Sequence, residues 1–86
     1  MTSKQFKSEL LADLAYQLEH KGKPFTSEHW YFSGDLYPLD PEQKIQVISL
    51  LIADGFIRRA SSVEFFPDRN PFDILVLCRA PVALRS

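Results

Sequence analysis

The side chains able to do chemistry are few in this chain, and they stand apart from one another. His20 and His29 are the only histidines, and Cys78 is the only cysteine. A metal needs several ligands at close spacing, and no run of His, Cys or Asp has the spacing of a zinc site. A nucleophilic thiolate needs a base or a cation tied to it, and no pattern ties either histidine to Cys78. His20 falls in the last turn of an expected helix, where a basic ring complements the helix dipole. His29 falls in a short expected helix, where an interface role is the alternative to a purely local one. Cys78 ends an apolar run with Arg79 beside it and reads as a buried, space-filling residue. The carboxylate pairs Glu42 with Asp54 and Asp68 with Asp73 fit cap and turn positions. Gly22, Gly34 and Gly55 stand singly and each ends an element, which leaves no phosphate-cradling loop. We therefore expect no catalytic residue, no metal site and no cofactor.

Two other stretches carry functional signals. One is basic: Lys44, Arg58, Arg59, Arg69 and Arg79 fall in the second half of the chain. Lys44, Arg58, Arg59 and Arg69 are the candidate phosphate contacts if the partner is nucleic acid. The bland reading is a solvated surface, because these charges spread over separate elements. The other stretch is bulky and mostly aromatic. Trp30, Tyr31, Phe32, Leu36 and Tyr37 fall close together and do not obviously all fit one small core. Rigid tyrosine and tryptophan rings are the side chains enriched at interface hot spots. Tyr31, Leu36 and Tyr37, with Glu42 and Lys44 at the start of the next helix, are the candidate protein-binding residues. Here the bland reading puts Trp30 and Phe32 in the core and lays Tyr31 and Tyr37 flat on the surface.

Positioning these residues falls to a single domain spanning 1–86. A chain of 86 residues with 45% hydrophobic residues has enough apolar surface for one modest core. The net charge of −1 lacks the positive excess usual for domains that live on DNA or acidic membranes. Charge is nevertheless uneven. Residues 1–43 hold four basic residues against seven acidic, and residues 44–86 hold six against four. A lone cysteine fits a reducing compartment, and no apolar run approaches the length of a membrane span. The N-terminus has no apolar signal-peptide core. The expectation is a cytoplasmic protein with no membrane association.

The spacing predicts a helix over about Ser3 to Lys21, capped by Thr2 with Gln5 and stopped by Gly22. Phe6, Leu10, Leu11, Leu14, Ala15 and Leu18 form its apolar face. Lys7, Glu9, Asp13, Gln17 and Lys21 fall largely opposite. A short helix from Ser27 to Phe32 or Ser33 follows, capped by Thr26, with Phe25 and Trp30 spaced as a hydrophobic staple. Ser33-Gly34-Asp35 breaks it. Asp40 caps a third helix, Pro41 takes its first position, Gln43 has capping-box spacing, and Gly55 ends it. Phe56 to Ala60 reads as a strand, with Val63 to Phe66 as its continuation or a second strand. After a turn at 67–71, Phe72 to Arg79 reads as the last strand. Its unbroken run Ile74-Leu75-Val76-Leu77 implies burial on both faces. The tail from Ala80 to Ser86 reads as loose or docked through Val82 and Leu84.

Three helices followed by a β-hairpin make an α+β fold. The join Ile48-x-x-Leu51-x-x-x-Gly55-Phe56-Ile57-x-Arg59 resembles the end of the third helix and the start of the wing in winged helix-turn-helix domains. That resemblance spans about Phe6 to Cys78. It implies a third helix packed by its rear face on the core, and a wing tip near Arg69 where family members touch phosphate or minor groove. Winged helices serve both DNA binding and protein contact. Two features turn this chain toward protein contact. Ser33 to Leu39 separates the second and third helices where DNA-binding members have a tight turn. The third helix offers Glu42, Gln43, Lys44, Gln46 and Ser49, with one positive charge. The expectation is a small non-enzymatic regulator that binds a protein partner, as an adaptor or an inhibitor of the kind small phage proteins supply. A winged-helix DNA-binding regulator is the alternative.

Overall fold

The computed structural model describes residues 1–79, so the tail from Ala80 onward lies outside the described residues. Helix α1 spans Ser3–Lys21. Thr2 accepts from the Gln5 amide while the Gln5 side chain accepts from the Thr2 amide, which forms the expected capping box. Gly22 takes the left-handed conformation at φ 68°. Phe6, Leu10, Leu11 and Leu14 are buried along one face. Leu18, expected on that face, is half exposed, because the last turn of α1 runs past the core. Asp13 and Gln17, expected on the polar face, are only half exposed. They recur at helical spacing from Phe6 and so stand on its side of the helix.

The chain then enters a strand that hydropathy did not disclose. Phe25–Ser27 forms β1, and helix α2 begins only at Glu28 and runs to Phe32. Thr26 therefore caps no helix; Ser27 holds the cap position and makes no side-chain cap bond. Helix α3 spans Pro41–Ala53, with Asp40 accepting from the Glu42 amide at 3.0 Å. Its end is a Schellman motif: Gly55 at φ 79°, its amide donating to Ile52, and the Phe56 amide donating to Leu51.

Strands β2 (Ile57–Ser61) and β3 (Asp73–Leu77) pair antiparallel, and β1 pairs antiparallel with the other edge of β3. The result is a three-stranded sheet in the order β1-β3-β2. The fold is α+β with three helices, and its sheet carries a third strand beyond the expected hairpin. Val63 to Phe66 is no strand. Ser62–Glu64 is a 3-10 turn, because buried Ser62 bonds Phe72 twice at 2.9 Å and closes the β2–β3 connection on itself.

Burial on both faces of β3 is met by two separate clusters. On one face Leu75, Leu77 and Ile57 join α1, α3, Tyr31 and Tyr37 in the main core. On the other, Ile74 and Val76 pack with Phe25, Ala60 and Phe66. Phe65 stacks on Phe25 at 4.4 Å between ring centroids, so the folded-back connection lids this second face. Cys78 follows the strand and is exposed rather than buried, because the pleat has ended before it reaches either cluster.

Candidate functional site

The segment from Trp30 to Leu39 folds inward through its tyrosines. Tyr31 is fully buried, and its hydroxyl donates to Asp13 Oδ2 at 2.9 Å. Asp13 also accepts from the Gln17 amide group. A buried tyrosine needs a partner for its hydroxyl, and a half-buried carboxylate on α1 supplies it. Burial pushes the Tyr31 hydroxyl well above the usual tyrosine range, and the neighbouring Asp13 charge adds to this. Tyr37 is buried too, edge-on to Phe6 at 5.5 Å. Its pKa is also raised, first by burial and then by the charge of Asp13. The loop holds it there, because the Ser33 carbonyl accepts from the Tyr37 amide at 3.2 Å.

The same Ser33 carbonyl accepts from Lys44 Nζ at 3.4 Å. Lys44 is buried on the rear face of α3 with its ammonium 5.9 Å from the centre of the Phe6 ring. No carboxylate pairs with it among the described residues. Removal from water lowers its pKa. Tyr31, Tyr37 and Lys44 therefore cannot act as surface anchors, which corrects three of the five expected protein-binding residues. The phase of α2 is the reason. Tyr31 points at α1, and Trp30, one residue and about 100° earlier on the helix, turns outward. Of the expected set, Leu36 and Glu42 remain exposed.

The expected phosphate contacts are likewise occupied. Arg58 forms a two-pronged pair with Glu64, at 3.0 and 2.9 Å. Each partner shifts the other, so the Arg58 pKa rises and the Glu64 pKa falls, chiefly through these hydrogen bonds. Arg59 Nε donates to Glu28 at 3.2 Å. Arg69 lies over the Phe66 ring at 5.2 Å. Arg79 donates to the Asp54 carbonyl and stacks over Phe56. Lys44 is turned inward, and Arg58 and Arg59 alternate to opposite faces of β2.

What reaches solvent instead is the front of α3. Glu42, Gln43, Ile45, Gln46, Ser49, Leu50 and Ala53 are exposed there. No lysine or arginine stands among them, and Ile45 and Leu50 are 47% and 65% exposed. On a helical projection Ser49, Glu42, Ala53 and Gln46 form the middle, flanked by Ile45 on one side and Leu50 on the other. Trp30, on α2, and Leu36, in the connection between α2 and α3, are exposed to similar degrees, 48% and 47%. No family model, curated protein or solved structure matches this chain. In the sequence Ile45 and Leu50 belong to a wide apolar stripe with Val47, Ile48, Leu51 and Ile52, which implies contact with more than one neighbour. The phase of Val47, Ile48 and Leu51 was the signal that separates them, since these three share one arc and Ile45 and Leu50 lie outside it.

No helix among the described residues is long and apolar enough to cross a membrane.

Proposed function

We propose that this chain is a winged-helix-like domain that regulates by binding a protein partner through the front of α3, without enzymatic activity, in a cytoplasm. The order α1-β1-α2-α3-β2-β3 with a β1-β3-β2 sheet supports the fold resemblance. The observation that carries the functional reading is the outward face of α3. In this architecture α3 is the helix that would enter a DNA groove, and its exposed side chains include Glu42 and no cation. Phosphate contact is mainly electrostatic, so such a face gains little from a duplex. Small and polar side chains with a single carboxylate, flanked by Ile45 and Leu50, suit a protein surface better than a duplex. Leu36 and Glu42 extend the proposed contact at the N-terminal end of the helix.

The test is two parallel measurements. Duplex DNA of mixed sequence is titrated at low and at physiological salt, and any complex is expected to vanish at the higher salt. Crosslinking in the native host extract, repeated with Ile45→Glu and Leu50→Glu, is expected to yield a protein adduct that both substitutions abolish. A sequence-selective duplex complex that survives physiological salt overturns the proposal and returns attention to Arg58, Arg59 and Arg69.

A further inference from the structure

A second place on the surface combines a concavity with a definite chemistry, away from the front of α3. Ser27, Glu28, His29 and Phe32, from the end of β1 and from α2, face Phe72 and Asp73 at the start of β3. Together they line an open pocket of about 320 Å³. Ligand pockets run from about 300 to 1,000 Å³, so this one suits a single side chain or a molecule of that size. Two of its walls are aromatic: Phe32 is half-buried and Phe72 is 43% exposed. Two carboxylates stand in it. Glu28 spends one oxygen, Oε1, on Arg59. Asp73 has no cationic partner among the described residues, and no lysine or arginine lines the pocket.

From this juxtaposition we propose that the pocket binds a guanidinium group, with Asp73 as its charged acceptor and the Phe72 ring as its stacking face. A guanidinium is planar and offers paired N–H donors that match a carboxylate. Its flat, weakly hydrated face stacks on aromatic rings, which an ammonium does less well. Glu28 and Ser27, which also line the pocket, add further acceptor groups. This site does not depend on the reading of α3, because neither its walls nor its acceptors come from that helix.

The test is an NMR titration of the whole labelled chain with N-acetyl-arginine methylamide, following the amides of Ser27, His29 and Asp73. Saturable shifts at these positions are expected. The uncharged isostere N-acetyl-citrulline methylamide is expected to bind at least about tenfold more weakly, the loss of one charge-assisted pair. Asp73→Asn, a near-isosteric exposed substitution, and Phe72→Leu, which keeps an apolar wall without a π face, are each expected to weaken binding by about fivefold or more. A thermal melt of each variant establishes that it is folded. Free arginine and an arginine-containing tripeptide, run in the same way, separate a metabolite source from a partner's side chain by which of the two binds more tightly. Equal binding of the citrulline analogue overturns the proposal, as does the absence of saturable shifts or an unchanged affinity in a folded Asp73→Asn.

Discussion

The two faces of α3 are built from one short run of sequence and do opposite things. The rear face holds Lys44, Val47, Ile48 and Leu51, all buried. The front holds Glu42, Ile45, Gln46, Ser49 and Leu50, all exposed. The one cation of the helix is on the rear, where it meets a backbone carbonyl and an aromatic ring, and two of its large aliphatics are on the front. A charge counted along the chain is therefore not a charge shown to a partner. Read linearly the helix carries one basic and one acidic side chain, and folded it shows only the acidic one.

The comparison breaks most severely from the rear. Leu51→Ala removes a fully buried side chain from between α1 and the sheet and is expected to cost about 2–5 kcal/mol in chemical denaturation, a large share of a small domain's stability. A loss under about 1 kcal/mol would mean the rear face is wrongly assigned.

Tyr31→Phe tests the bond that ties α2 to α1. It leaves the ring in place and removes one of the two donors to Asp13, with an expected cost of about 1–3 kcal/mol, the range of a hydrogen bond to a charged group. Asp13→Asn in the same background should then add little, since the two side chains act as one unit.

Lys44→Met sharpens the comparison in the opposite direction. It keeps the length of the side chain and removes a buried charge that has no carboxylate beside it, so it is expected to stabilise the domain by about 1 kcal/mol at neutral pH. The pH dependence follows from the lowered pKa. The unfolded chain holds the Lys44 proton more tightly than the native state does. The Lys44 contribution to wild-type stability therefore rises with pH from the lowered native value up to the ordinary 10.5. Tyr31 acts oppositely: its raised native pKa means the unfolded chain loses that proton first, and stability falls above the ordinary 10.0. Only the lysine contribution differs between the two proteins. The advantage of Lys44→Met over wild type should shrink as pH climbs toward 10.5, and an advantage constant with pH would show that Lys44 reaches water.

The smallest effect on folding belongs to the front. Leu50→Glu replaces a side chain that is 65% exposed and is expected to change stability by no more than about 0.5 kcal/mol while abolishing the proposed partner complex. A large drop in melting temperature would place Leu50 in the core instead.

Local rules made much of the fold readable. The bounds of α1 follow from Thr2, Gln5 and Gly22, because capping bonds form between neighbours and need no other part of the chain. Asp40, Pro41 and Gly55 set the ends of α3 for the same reason. The run Ile74 to Leu77 announced a strand covered on both sides, and two clusters cover it. At the candidate site, Glu42, Gln43, Gln46 and Ser49 were legible as the outward side of α3, and Leu36 as an exposed contact.

Tertiary structure decided what local pattern leaves degenerate. Phe25–Ser27 is a strand only because β3 offers an open edge to it, and hydrogen bonds to a distant partner leave no periodicity in three residues. Tyr31 went inward, and Trp30 outward, because Asp13 stood where the Tyr31 hydroxyl could reach it, and Tyr37 packed edge-on against Phe6; bulk alone does not rank aromatic rings for burial. Asp13 and Gln17, at helical spacing from Phe6, were the trace of that network in the sequence. Arg58 and Arg59 met Glu64 and Glu28 through strand placement and the folded β2–β3 connection. The sequence by itself determined where elements begin and end, since those signals act within a turn of helix. Which side of each element meets the core, and which charges meet each other, depended on distant chain brought near, and only the folded structure decides that.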